Sequence, residues 1–193
     1  EAERKSFEAS LLNETKNTQQ MLSNLLLWSK TQMEGVTVNL LPVNLKESIL
    51  PAIRAQQSLA VEKKIKIEEN INKSIMVLAD RDMLQLVIRN LVNNAVKFTE
   101  PGGQIGIDAK IQDGICLITI SDTGKGIPFE MQKDLFSLAI KSTFGTQNEK
   151  GVGLGLSLCK EFTELQNGTI RFESEPGKGT RFFISFKLAS ALS

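Results

Sequence analysis

Apolar residues recur at intervals of three and four between residues 81 and 98. Leu84, Val87, Leu91, Ala95 and Phe98 fall on one stripe, and this spacing predicts a helix over Arg81–Phe98 packed on a sheet. A second helical pattern starts at Leu156, carries Leu158, Cys159, Phe162 and Leu165 on one side, and closes with Gly168 just past its end. A third runs from about Leu45 to Lys64, behind Asn44, a residue type that caps helices. Between these lie runs of strand character: Lys66–Glu69, Ser74–Ala79, QIGIDAKI (104–111), ICLITIS (115–121), and two near 169–174 and 180–188. QIGIDAKI and ICLITIS read as a hairpin turned at Asp113-Gly114. In the final run Phe182, Ile184, Phe186 and Leu188 alternate with Arg181, Phe183, Ser185 and Lys187. Helices and largely antiparallel strands in this order predict an α+β fold, one sheet with helices on one face.

Residues 1–34 contain neither Gly nor Pro and read as one long helix ended by Gly35. Leu11, Thr15, Thr18, Leu22, Leu25, Ser29 and Gln32 follow a four-three spacing, an imperfect coiled-coil stripe. Roughly 30 residues at about 1.5 Å each reach about 45 Å, longer than a small domain needs, which points to a partner helix outside the chain; a helix lying across the following domain is the alternative. Residues 35–44 read as a linker ending in a short strand. The polar stretch from Phe136 to Lys150, FSLAIKSTFGTQNEK, lacks periodicity and reads as a long loop, of a length that is usually either functional or disordered.

The composition removes several kinds of chemistry. With 23 Lys and Arg against 22 Asp and Glu, net charge +1 and no long basic cluster, nucleic acid is not the expected partner. EKKIK (62–66) reads as a solvated face. No apolar run exceeds five residues, Ile75–Ala79, so no membrane-spanning helix is expected within the chain. No signal-peptide pattern opens it, and it begins without Met, as a piece of a longer protein would. Cys116 and Cys159 read as buried thiols without metal-ligand partners. Histidine is absent, so no His triad, His metal site or His general base can be built from this chain.

Four short segments could carry chemistry. EKGVGLGLSLCKEF (149–162) places Gly151, Gly153 and Gly155 where a helix starts, at a cost of roughly 1 kcal/mol each relative to alanine within a helix. Bare backbone at a helix N-terminus suits an anion, phosphate above all; a flexible turn would use the same residues. In NLVNNAVKF (90–98), Asn90, Asn94 and Lys97 share one helical face. Neutral amide oxygens suit Mg²⁺ when phosphates bring the charge, and Lys97 can meet a phosphate oxygen; surface decoration is the plainer alternative. DTGKGIP (122–128) follows a strand, so the Asp122 carboxylate could accept from an exocyclic amine while Gly124 and Gly126 let backbone approach a flat ring; it is also an ordinary turn sequence. EPGKGTRF supplies Gly177, Gly179 and Thr180, which a simple hairpin turn would also use.

In that order the segments resemble the GHKL nucleotide-binding fold, and within it the catalytic, ATP-binding domain of sensor histidine kinases, over residues 40 to 190. The resemblance implies a two-layer α/β sandwich of the Bergerat type with a mixed sheet, preceded by the long helix. It implies that Asn94 holds Mg²⁺, that Asn90 and Lys97 act at the phosphates, and that Asp122 reads the adenine amine. Gly124, Gly126 and Ile127 would line the base. Lys150, Gly151, Gly153, Leu154, Gly155 and Leu156 would wrap the triphosphate, with Thr180 completing the pocket. Residues 1–34 look like the second helix of the dimerisation and phosphotransfer hairpin, 35–44 a linker, and 45–193 the catalytic domain. The phosphoacceptor histidine helix lies outside the chain. The implied partners are ATP, that helix in the same or a partner subunit, and a response-regulator receiver domain. A homodimeric parent is implied, this chain being the cytoplasmic portion of a membrane-anchored sensor kinase. Relatives that activate water or a serine hydroxyl have Glu one turn before the metal-binding Asn. Here that place is Asn90, which disfavours a GHKL-type ATPase or serine kinase; a nucleotide-holding switch without phosphotransfer is the other alternative.

Overall fold

The computed structural model describes residues 37–137, 145–146 and 155–189, together with Thr15 and Leu22, both helical. The rest of the expected helix over 1–34 lies outside the described residues. The chain divides into two compact units, Glu1–Thr37 and Val38–Ser193.

The second unit opens with strand β1 (Leu41–Asn44), which runs into helix α1 (Leu45–Glu62). The Asn44 side chain accepts from Glu47 N at 3.0 Å, capping the helix as its residue type leads one to expect. Strands β2 (Lys66–Asn70) and β3 (Met76–Ala79) follow, then helix α2 (Arg81–Phe98), the predicted span. Asp80 caps it, accepting from Asp82 N at 3.1 Å and Met83 N at 3.2 Å. Strands β4 (Gln104–Gln112) and β5 (Ile115–Asp122) form the hairpin, with Asp113 and Gly114 at φ 50° and 75°, as a tight turn of matching twist requires. A single-turn helix α3 (Phe129–Gln132), helix α4 (Gly155–Leu165), and strands β6 (Thr169–Glu175) and β7 (Gly179–Lys187) complete the unit.

The main sheet has five strands in the order β2-β4-β5-β7-β6. It is mixed: β2 pairs parallel with β4, whereas β4–β5, β5–β7 and β6–β7 are antiparallel. One face is apolar at every second position, including Ile105, Ile107, Ile118, Ile120, Phe182 and Ile184, all buried under the helices. Each such side chain contributes about 1.5–3 kcal/mol on burial. Leu84, Val87, Leu91 and Ala95 of α2 are buried as the stripe predicts, but Phe98 is half exposed. Cys116 and Cys159 are buried free thiols, and burial pushes them up to about 11 and about 12.

Long-range pairing adds two features that the sequence does not show. β1 joins β3 in a separate antiparallel two-stranded sheet, Leu41 opposite Ala79, so the stretch read as the end of a linker is part of the compact unit. Lys63, within the run read as a solvated face, is 1% exposed. Gly168 stands just past the end of α4, as read, and the left-handed residue there is Asn167 at φ 58°; a Cβ on Gly168 would meet the Ser185 carbonyl. Among the described residues no helix is long and apolar enough to cross a membrane.

Candidate nucleotide site

Helix α2 carries Asn90, Asn94 and Lys97, and it is held at both ends. At its start, Gln166 accepts from Asp80 N at 2.9 Å and donates to Phe162 O at 2.6 Å, tying the cap of α2 to the end of α4. At its finish the buried Lys63 donates to Val96 O at 2.9 Å and Lys97 O at 3.1 Å. An ammonium group suits that end, where helix carbonyls lack intrahelical partners and the macrodipole is negative.

Asn90 is 9% exposed. It faces the N-terminus of α4: a Cβ at Gly155 would stand 3.6 Å from Asn90 Oδ1, in ordinary contact. Its amide offsets a little of the rise in the Cys159 thiol, yet Nδ2 is buried without an acceptor in hydrogen-bonding geometry. A buried amide N–H left unpaired is costly, and a phosphate oxygen is the kind of group that satisfies it. Asn94, one turn on, is half buried, and Lys97 is 7% exposed, its Nζ 4.7 Å from the centre of the Phe98 ring. Lys125 Nζ lies 5.0 Å from the same ring. Two ammonium groups thus share one aromatic ring at the edge of the site.

Asp122 ends β5, opposite Thr180 of β7. Its Oδ1 accepts from Gly124 N at 2.9 Å and Thr180 N at 3.2 Å, which leaves Oδ2 for an exocyclic amine. Burial pushes this carboxyl up to about 6 in spite of the two backbone bonds. The glycines here have no room for a side chain. A Cβ at Gly124 would overlap the Phe98 carbonyl, and Gly179, at φ 101°, would drive one into the Asp122 carbonyl. Gly126 is likewise shut against the Glu175 carbonyl. Ile127 N donates to Ser174 Oγ at 2.9 Å, and Ser174 Oγ lies 3.0 Å from Thr180 Oγ1. Gln132 Nε2 closes the loop on Ile127 O at 2.8 Å and Ser174 O at 3.1 Å. Ser174 and Gln132 escaped the sequence reading because a lone Ser in a strand and a lone Gln in a short helix carry no periodic or motif signal.

The predicted residues therefore meet in small groups. Asp122, Gly124 and Thr180 are joined by hydrogen bonds, Gly155 and Leu156 open the helix whose first residue faces Asn90, and Lys125 N donates to Phe98 O at 3.2 Å, joining the end of α2 to the Asp122 segment. Lys150, Gly151, Gly153 and Leu154 lie outside the described residues. Among the described residues no three His, Cys, Asp or Glu side chains cluster as metal ligands. A divalent cation here would rely on amide oxygens and on the phosphates it accompanies.

Residues 79–190 match the family of histidine kinase-, DNA gyrase B-, and HSP90-like ATPases. The chain belongs to this family. Its place among the histidine kinase ATPases follows from its relatives. The adaptive-response sensory kinase SasA of Crocosphaera subtropica is 30% identical over 188 residues, spanning 92% of this chain and 48% of that protein. The chain thus spans about half the length of this curated relative. The nucleotide-free catalytic domain of histidine kinase ThkA is similar at TM-score 0.67 and 28% identity, over 77% of this chain and 95% of that one. Full-length ShkA in complex with AMPPNP shares the fold at TM-score 0.76 and 24% identity, over all of this chain and 40% of its own. The described unit is the ATP-binding domain of a sensor histidine kinase, an α+β domain with a mixed five-stranded sheet.

Proposed function

We propose that this domain transfers the γ-phosphoryl group of Mg-ATP to a histidine on an upstream helix, from which it passes to the aspartate of a response-regulator receiver. The observation that carries this reading is Asn90: buried beside the start of α4, with an unpartnered amide N–H and no carboxylate in its place. An amide can donate to a phosphate oxygen but cannot take a proton from water, so the phosphoryl group waits for an acceptor that brings its own base. This chain has no histidine to serve as that acceptor.

In this reading Asp122 Oδ2 accepts from the adenine amine, and the backbone at Gly124, Gly126 and Ile127 lies along the base while Thr180 fixes Oδ1. Lys97 and Asn90 bind phosphate oxygens, and Lys150, Gly151, Gly153, Leu154, Gly155 and Leu156 surround the triphosphate. Asn94 would hold Mg²⁺ through its amide oxygen, and the ion would supply charge neutralisation at the phosphates. Catalysis by this chain is then positioning and electrostatic stabilisation. Residues 1–34 would be the second helix of the dimerisation hairpin, in a homodimeric, membrane-anchored parent whose cytoplasmic portion this is.

The test uses γ-labelled ATP and the purified chain. Alone, it should bind AMPPNP by calorimetry in a magnesium-dependent way and acquire no stable label. With the histidine-bearing first helix restored, the label should appear on that histidine. Label on the isolated chain, or no transfer to the restored helix despite normal binding, would overturn the kinase reading; the second result would leave a nucleotide-holding switch.

A further inference from the structure

Asp122, Thr180 and Ser174 stand opposite one another on the adjacent strands β5, β7 and β6, in one row across the sheet. Side chains alternate along a strand, so the three share the face on which Ile120, Phe182 and Phe172 form a neighbouring row. Two of them are hydroxyls, and counting partners assigns their protons. Ser174 Oγ accepts from Ile127 N at 2.9 Å, and it lies 3.0 Å from both Gly179 O and Thr180 Oγ1. Gly179 O is a carbonyl and only accepts, so it takes the one proton that Ser174 has. The contact between the hydroxyls is then made by the Thr180 proton, which leaves Thr180 Oγ1 with lone pairs alone. The Asp122 carboxylate is an acceptor too, its Oδ1 held by Gly124 N and Thr180 N.

We propose that Ser174 is a positioning residue for base selection: by engaging the Thr180 proton it keeps the row an array of acceptors, and so favours a purine with an amino group at its 6 position over one with an oxo group there. The proposal rests on the nucleotide-site reading above. A 6-amino group brings N–H donors, whereas a 6-oxo group brings lone pairs that would oppose those of Asp122 and Thr180. A Thr180 hydroxyl released to turn would donate to the oxo group and soften the mismatch. Losing the Ser174 hydroxyl does not cut the 122–127 segment loose. Gly177 N still donates to Lys125 O at 2.8 Å, and Gln132 Nε2 still bridges Ile127 O and Ser174 O.

Calorimetry with the magnesium complexes of ADP and inosine diphosphate, at pH 8 where Asp122 is ionised, tests this. The two probes differ at the purine 6 position and in the N1 proton that goes with it, and the parent chain should prefer ADP. Ser174→Ala frees the Thr180 proton and should narrow that preference about tenfold, the scale of one hydrogen-bonding group. Thr180→Val removes the hydroxyl itself and should narrow it similarly. The double variant should match either single variant within about twofold, because both changes abolish the same acceptor. Ser174→Cys fills the space with a much weaker acceptor and should move the preference in the same direction, which keeps the test open if the alanine variant fails to fold. A preference unchanged in the Ser174 variants would overturn the proposal. So would equal losses for both nucleotides, as a merely structural role would give, or losses that multiply in the double variant. A parent chain that binds neither nucleotide, or both equally, would instead remove the reading of the site as one for an adenine nucleotide, and shows this before any variant is made.

Discussion

The Asp122 end of the site and the Asn90 end are built on opposite plans. Around Asp122, backbone N–H groups from Gly124 and Thr180 fix one carboxylate oxygen, and the glycines at 124, 126 and 179 are each shut in by a carbonyl of another segment. Around Asn90 the neighbouring glycine, Gly155, leaves ordinary contact space, and the amide is buried with an N–H unmatched. The first end is rigid before any ligand arrives and suits a flat base that must be recognised. The second holds unspent hydrogen-bonding capacity and suits a group whose charge is redistributed during reaction.

That contrast can be broken at three places. Gly179→Ala should be the most damaging, because it sets a left-handed backbone against a Cβ and drives that Cβ into the Asp122 carbonyl. A loss of about 3 kcal/mol and a melting temperature lower by roughly 10 °C are expected, and calorimetric unfolding would show them. A near-normal melt would mean the Asp122 end is softer than its geometry implies.

Asp122→Asn comes next and separates stability from recognition. Both Oδ1 bonds survive in the amide, but Nδ2 then opposes the adenine amine donor with another donor, and ADP affinity should fall about 100-fold, the scale of losing a charge-assisted bond and leaving a donor unpaired. Stability moves the other way. The folded carboxyl titrates near 6 against an ordinary 3.8, so its contribution is fully present below about pH 3.8 and is lost as pH rises through about 6. Above that, the ionised buried group costs up to about 3 kcal/mol, which the variant avoids. The melting difference between variant and parent should therefore widen from pH 4 to pH 7; a constant difference would refute the assigned cause. Gly155→Ala should have the smallest effect on the fold. It gains up to about 1 kcal/mol of helix propensity, with melting unchanged or slightly raised, and it weakens nucleotide binding a fewfold by placing a methyl beside Asn90.

Much of this was readable from the chain before any coordinates. Helix α2 shows its buried face in the spacing of Leu84, Val87, Leu91 and Ala95, because a period is a local fact, whereas its Asp80 cap came only with the structure. The Asp113-Gly114 turn announced the hairpin for the same reason. Lys63 was misread because its acceptors are 33 and 34 residues away, and a Lys in a charge run gives no sign that it will be buried against the end of another helix. Phe98 was placed on the sheet-facing stripe by its phase, yet it is half exposed in the last turn, with two ammonium groups near its ring.

The small β1–β3 sheet has a mechanical corollary. Leu41 lies opposite Ala79, and Asn39 N donates at 3.1 Å to Asp80 Oδ2, while the other oxygen of that carboxylate caps α2. The thread by which the unit is entered is therefore stitched alongside the first residue of the helix that bears Asn90, Asn94 and Lys97. The seam fastens residues 39–41 to the one helix whose tilt sets where all three polar side chains point.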